Sequence, residues 1–260
     1  MHSSVPALGL LCMGATLLFA FGAPIGLLVY FRKRGARVLP FFVGCLTFVI
    51  FALVLEAAVH RLVLGSALGP TIQGNTLLYA LYGGLMAGLF EETGRYLAIS
   101  TVLKKQQDRD IHALMYGAGH GGAEAMLLLG LTYVNNLVFS LLINTGHTDL
   151  LTATVPPEAL PQIQGVIDAL ISTPAYIYLL ALVERAVALT IHLCLSALVW
   201  LCVTRKKGWL LPLSMLLHAL VDAVTVLLSA RLPLWAMEGC LVLFAAALAL
   251  LTRFLWKANR

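Results

Sequence analysis

Histidines and carboxylates recur four residues apart in stretches of the chain that are otherwise apolar. His120 and Glu124 lie in the segment GAGHGGAE, and His218 and Asp222 lie in HALVD. Residues i and i+4 share one face of an α-helix, so the two members of each pair can act together. Imidazoles and carboxylates can bind zinc, transfer protons or orient one another, and hydrolases use all three kinds of chemistry.

A third charged group lies in the segment FEETGRY. Glu91 precedes Arg95 by four residues and Glu92 precedes it by three, so one of the two glutamates is expected to pair with the arginine. The two carboxylates point about 100° apart on a helix and need not share a role. Either glutamate is a candidate for proton transfer to and from water.

The elements that hold these residues are expected to be membrane-spanning helices. Of the 260 residues, 60% are hydrophobic and 11% are charged, whereas a soluble domain carries roughly 25% charged residues. This composition excludes a soluble globular protein and a disordered chain. Seven apolar stretches are long enough to cross a bilayer as helices, at about 5–31, 38–60, 76–103, 111–143, 173–203, 209–230 and 233–256.

The predicted fold class is therefore an all-α integral membrane protein with about seven transmembrane helices. Basic clusters follow the first, third, fifth and seventh stretches, which predicts an N-terminus outside and a C-terminus in the cytoplasm. The net charge of +5 follows from this topology, and we expect no nucleic-acid partner. We expect one polytopic domain over residues 1–260, with a catalytic core at about 76–230.

Two features are expected at the outer membrane interface. Apolar residues recur at helical spacing between 160 and 170 in a proline-containing loop, which predicts a short interfacial helix near 157–171. Glu56 lies near the outer end of the second apolar stretch and is expected to reach the interface.

The ionisable residues inside the spans are expected to share one depth. Counting from the cytoplasmic ends at ~1.5 Å per residue places Glu92, His120, His192 and His218 roughly 15–20 Å into the membrane. Charged and imidazole groups are costly at that depth and usually serve a function. Four helices thus carry such groups near the bilayer midplane.

Three histidines at one depth are typical of a metal site. His120, His192 and His218 are the predicted ligands, since neutral imidazole is a common zinc ligand and three protein ligands with a water mark a catalytic site. Glu124 and Asp222 are expected either to bind the metal or to orient the histidines. A glutamate beside the metal would take a proton from water and deliver it to a leaving amine.

Taken in order, EExxR at 91–95, HGGxE at 120–124, the histidine at 192 and HxxxD at 218–222 resemble the YhfC family of predicted intramembrane metalloproteases. That family is related to the PrsW proteases and to the CPBP group of CAAX-prenyl proteases and bacteriocin-processing enzymes. The resemblance implies an intramembrane endopeptidase in which Glu91 or Glu92 activates water. The histidines would hold zinc or, as in the CPBP group, polarise water and stabilise the oxyanion, and Asp222 would assist His218.

The substrate is then expected to be a membrane-anchored peptide or protein, and the location the plasma membrane of a bacterium. A proton-coupled transporter is an alternative, because buried histidines and carboxylates also relay protons. The outer halves of the spans carry few charges, which favours the protease. A non-catalytic binding or immunity protein on a protease-like fold is the other alternative.

Overall fold

A computed structural model describes residues 4–153 and 155–259, and within these ranges every regular element is helical. The long helices are α1 (Ala7–Lys33), α2 (Leu39–Leu64), α3 (Thr76–Leu97), α4 (Ile111–Asn144), α5 (Leu160–Ser172), α6 (Ala175–Thr204), α7 (Leu210–Ser229) and α8 (Leu234–Ala258). Shorter helical segments are Gly69–Gln73, Lys104–Gln106, Asp149–Thr152 and Pro157–Ala159. The prediction of an all-α integral membrane protein is confirmed.

Six of the helices are long and apolar enough to cross a membrane, counting only the described residues. They are α1, α2, α4, α6, α7 and α8. The predicted third span corresponds to α3, which Glu91, Glu92 and Arg95 make less apolar than the others. The structure thus supports six of the seven predicted spans by length and composition, and the membrane crossing of α3 remains a prediction.

Three π-helical segments interrupt or extend the long helices. They are Val49–Glu56 within α2, Ala98–Val102 directly after α3, and Ala125–Gly130 within α4. A π segment shifts the register of the residues that follow it and often occurs at a functional site. The first of these segments ends at Glu56, and the third begins immediately after Glu124.

The chain forms two compact units. The first contains the described residues up to Gly22 together with Ala125–Arg185. Its apolar core includes Met13 and Tyr133, and the Thr16 hydroxyl donates to the carbonyl of Tyr178 at 2.8 Å. The predicted helix near 157–171 is confirmed as α5, with Ile167 and Leu170 in this core, and its position at the interface remains a prediction.

The second unit contains Ala23–Glu124 and the described residues from Ala186 onward, and it holds all eight predicted site residues. Its helix α3 begins at Asn75, whose side-chain oxygen accepts from the backbone N–H groups of Leu77 and Leu78. Because α3 packs closely on α7, a Cβ placed at Gly84 would lie only 2.3 Å from the carbonyl oxygen of Ala219. Small residues permit such close contact between membrane helices.

Candidate active site

His120 and Glu91 form a buried pair between α4 and α3. The ring Nε2 of His120 lies 2.7 Å from Oε2 of Glu91, and the two residues are 0% and 8% exposed. The other ring nitrogen of His120, Nδ1, is buried and has no hydrogen-bond partner among the described residues. A buried polar atom without a partner costs about 1–3 kcal/mol, so this nitrogen is suited to bind a ligand.

His192 on α6 forms a second pair with Glu124 on α4. Its Nε2 lies 2.7 Å from Oε2 of Glu124, and its ring centroid is 5.0 Å from that of His120. The absence of a side chain at Gly121 makes this approach possible, because a Cβ there would lie 2.9 Å from the Cβ of His192. The glycine-rich segment of α4 thus leaves space for one of the site histidines.

Arg95 fixes the orientation of His192. Its guanidinium donates to the carbonyl oxygen of His192 at 3.0 Å and to the hydroxyl of Ser196, and its NH2 lies 3.2 Å from Nδ1 of the same ring. A guanidinium can only donate hydrogen bonds, so Nδ1 is the acceptor. The proton of the neutral ring is then on Nε2, which donates it to Glu124.

Glu92 is fully buried and bonded on both of its carboxylate oxygens. Oε1 lies 2.9 Å from Nδ1 of His218, while Oε2 accepts from the Ser214 hydroxyl at 2.5 Å and lies 3.2 Å from Nε of Arg95. Of the two glutamates, it is Glu92 that forms the ion pair with the arginine. These contacts join α3 to α7 and hold the His218 ring in place.

Asp222 approaches the opposite side of the His218 ring. Its Oδ2 lies 3.7 Å from Nε2 of His218, which is longer than a direct hydrogen bond. The ring centroid of His218 is 5.6 Å from that of His192. The structure therefore brings all three predicted histidines together, with their rings arranged in the order His120, His192, His218.

Glu91, His120 and His192 form the group whose geometry suits a metal ion. One ligand atom from each lies within 4.8 Å of the others, and all three residues are buried. In this group of the described residues a glutamate stands with two histidines, whereas the sequence predicts His218 as the third ligand. Two imidazoles and a carboxylate are a donor set that zinc accepts, and the unpartnered Nδ1 of His120 also fits a metal site.

The charge balance of this site also suits a cation. Four carboxyl groups, from Glu91, Glu92, Glu124 and Asp222, lie around the three imidazoles, and Arg95 contacts Glu92 and His192. Negative charge is costly away from water unless it is paired. A divalent cation or protons on the imidazoles would offset it.

Three further polar residues, not predicted from the sequence as part of the site, form hydrogen bonds in or near it. Ser196 and Ser214 bond to Arg95 and Glu92, and Glu56 is buried against His60 with Oε1 3.1 Å from the ring Nε2. The position of Glu56 at the membrane interface remains a prediction. The sequence contains a signal for each of them, because Ser196 follows His192, His218 follows Ser214 and His60 follows Glu56 by four residues.

Comparisons with known proteins identify the family of this chain. The model of the family described as "YhfC intramembrane metalloprotease" matches residues 19–241, a range that includes all eight predicted site residues. The chain is 41% identical over 211 residues to "Uncharacterized membrane protein YhfC" of Bacillus subtilis (strain 168), and the alignment covers 80% of each chain. No solved structure matches the chain.

These similarities and the six apolar helices support the predicted multi-pass protein of a bacterial plasma membrane. The family match covers most of the chain, and the Bacillus relative is similar over four fifths of its length. The chain belongs to the YhfC intramembrane metalloprotease family.

Proposed function

We propose that this protein is an intramembrane endopeptidase that hydrolyses peptide bonds of membrane-associated peptides or proteins. The observation that carries the proposal is the buried group of Glu91, His120 and His192, on helices whose composition suits a membrane. The family description supports the same reaction class. Ionisable groups held at such a depth are costly, and proteins generally retain them for a function.

Glu91, His120 and His192 are the residues that would hold a metal ion, for which we propose zinc. Bound there, the ion would act as a Lewis acid and lower the pKa of a coordinated water towards ~7. The unpartnered Nδ1 of His120 and the burial of all three residues, with one ligand atom of each close to the others, support this assignment.

Glu91 is the carboxylate that we assign to proton transfer. Its Oε2 contacts His120, and about 10% of its side chain remains exposed, so its other oxygen can take a proton from the attacking water. Both oxygens of Glu92 are bonded to neighbouring side chains. We therefore assign Glu92 to the positioning of Arg95 and His218.

His218 is assigned to the departure of the amine. When water attacks the carbonyl carbon and the carbon–nitrogen bond breaks, the nitrogen that leaves must gain a proton. Nδ1 of His218 is held by Glu92, and its Nε2 faces Asp222. Nε2 of a protonated His218 is placed to deliver this proton, and the Asp222 carboxylate stabilises the protonated ring. The proton that Glu91 takes from water then returns to His218, which restores both groups for the next turnover.

The test compares the wild-type protein with Glu91→Gln in liposomes that contain bacterial membrane proteins. New N-termini are identified by mass spectrometry. We expect cleavage products with the wild type that are absent with Glu91→Gln, whereas identical sets of N-termini would contradict the proposal.

A glutamate–histidine hydrolase without a metal is the second candidate. The observation that favours it is that each histidine is already paired with a carboxylate, in the pairs Glu91–His120, Glu124–His192 and Glu92–His218. Arg95 also donates to Nδ1 of His192, which leaves the ring proton on Nε2. Stoichiometric metal in the active purified protein would exclude this candidate.

A further inference from the structure

A second group of polar residues surrounds a cavity next to His218. The cavity has a volume of about 370 Å³ and lies where α2, α3 and α7 meet. Its polar lining comes from Glu56 and His60 of α2, Tyr82 of α3 and Asp222 of α7. The role proposed above for Asp222 concerns only its contact with His218, and the other three residues have no part in the proposed mechanism.

Three of these side chains form a continuous hydrogen-bonded chain. The hydroxyl of Tyr82 lies 2.9 Å from Nδ1 of His60, and Nε2 of His60 lies 3.1 Å from Oε1 of Glu56. Glu56 is 8% exposed, and the π segment Val49–Glu56 ends at this residue. The Glu56 side chain is therefore almost fully buried, although it lies on a helix that is apolar enough to span a membrane.

The exposed parts of this group require water. The side chains of His60 and Asp222 are 31% and 42% exposed, although α2 and α7 are both candidate spans. Polar and ionisable side chains on a membrane-spanning helix face a protein interior or a water-filled cavity, because contact with lipid is costly. His60 and Asp222 both line the cavity, so water in the cavity can solvate their exposed surface.

Asp222 lines the cavity and also lies close to His218 of the proposed active site. One carboxylate oxygen of this residue lies 3.7 Å from Nε2 of His218, and the other ring nitrogen of His218 is bonded to Glu92. One nitrogen of the His218 ring thus faces Asp222 of the cavity lining, and the other is bonded to the buried Glu92. Hydrolysis at this depth requires a route for water, and Asp222 belongs to both the cavity and the site.

We propose that this cavity is a water-filled chamber through which water reaches the buried site. This proposal rests on the proposed function only where it says that the water is used for hydrolysis. Hydration of the chamber itself does not depend on proteolytic activity. Its acidic lining residues are Glu56 and Asp222, and the described lining includes no lysine or arginine. Because the exposed Asp222 carboxyl faces no basic residue in this lining, we expect the chamber to admit small cations in preference to small anions.

Cysteine labelling in membranes tests the chamber. In a background with all five cysteines replaced by serine or alanine, Val226→Cys introduces a thiol in the cavity wall. The matched control is Leu220→Cys, which lies on the same helix at a residue that is 45% exposed but outside the cavity lining. Trimethylammonium-ethyl and sulfonatoethyl methanethiosulfonates serve as the cationic and anionic probes.

We expect Val226→Cys to react with the cationic probe on the order of a hundredfold faster than Leu220→Cys, because a charged probe enters lipid poorly. The cationic probe should also react faster than the anionic one, and Glu56→Gln together with Asp222→Asn should remove that preference. Ala87→Cys, on the opposite wall of the cavity, repeats the test if Val226→Cys does not fold. Equal labelling of cavity and control thiols would overturn the chamber.

The two proposals fail separately in this experiment. Rapid labelling of a protein that generates no new N-termini would support the proposed chamber and contradict the proposed protease activity. Slow labelling of a protein that cleaves substrates would support the proposed protease activity and contradict the proposed chamber.

Discussion

Nδ1 of His218 lies 2.9 Å from Oε1 of Glu92, and this contact joins two residues that are 126 positions apart in the chain. The same carboxylate also accepts a hydrogen bond from the Ser214 hydroxyl and forms an ion pair with Arg95. Glu92 is therefore the point where α3, α7 and, through the arginine, α6 are held together. Its neighbour Glu91 has a different environment, and the two glutamates should respond differently to substitution.

Glu92→Gln should destabilise the protein more than Glu91→Gln does. Removing the Glu92 charge leaves the guanidinium of Arg95 buried without its counter-ion, and breaking a buried ion pair typically costs about 3–5 kcal/mol. Glu91→Gln removes one contact to His120, a proposed metal ligand and the proposed proton acceptor, and should chiefly abolish cleavage. Thermal unfolding in detergent measures the first effect and the appearance of new N-termini measures the second. Equal unfolding temperatures for the two variants would contradict the assignment of Glu92 to positioning.

The metal content of variants distinguishes between two sets of ligands. The structure groups Glu91 with His120 and His192, whereas the sequence predicts His218 as the third ligand. His120→Ala and His192→Ala should both lose stoichiometric metal, because these residues belong to the group with Glu91. His218→Ala should retain it, since that ring is held by Glu92 and Asp222. Elemental analysis of the purified variants gives the result, and loss of metal from all three would instead favour the three-histidine site.

Arg95→Lys should weaken metal binding although the positive charge is kept. A lysine cannot reproduce the planar fork of donors with which Arg95 contacts the His192 carbonyl, the His192 ring and Ser196. Loss of a contact that orients a ligand typically costs about 10–100-fold in metal affinity or activity. Competition with a fluorescent chelator measures the affinity. Unchanged affinity in a folded Arg95→Lys variant would mean that Arg95 does not position His192.

Gly84→Ala and Gly83→Ala form a matched pair on α3. A Cβ at Gly84 would lie 2.3 Å from the carbonyl oxygen of Ala219, whereas a Cβ at Gly83 meets nothing within 4 Å. Overpacking typically costs about 1–3 kcal/mol, so Gly84→Ala should lower the unfolding temperature. Gly83→Ala should leave it unchanged or raise it, because alanine favours the helix over glycine. The same decrease in both variants would argue against close packing of α3 on α7.

The helices and the proximity of the site residues to one another could be predicted from sequence, because both depend on hydropathy and on distance along one helix. The partners of the site residues could not, because they depend on how each helix is rotated about its axis. His120 and Glu124 share a helical face, yet each is paired with a residue of another helix, Glu91 and His192 respectively. The individual roles of the predicted site residues remain predictions.

Glu56 shows how a local irregularity limits such reasoning. Hydropathy places it near the end of an apolar stretch, which suggests the interface. Glu56 is the last residue of a π segment, where the regular helical period does not apply. Its carboxylate is buried beside His60, and its depth in the membrane remains a prediction.

The three carboxylate–histidine pairs are Glu91–His120, Glu124–His192 and Glu92–His218, and each joins residues of two different helices. A nascent chain therefore has no complete pair within any one of these helices, and the last pair forms only after α7 has entered the membrane. Under the proposed function, a partly inserted chain would be inert. Complete insertion of the helices would then be a requirement for proteolysis.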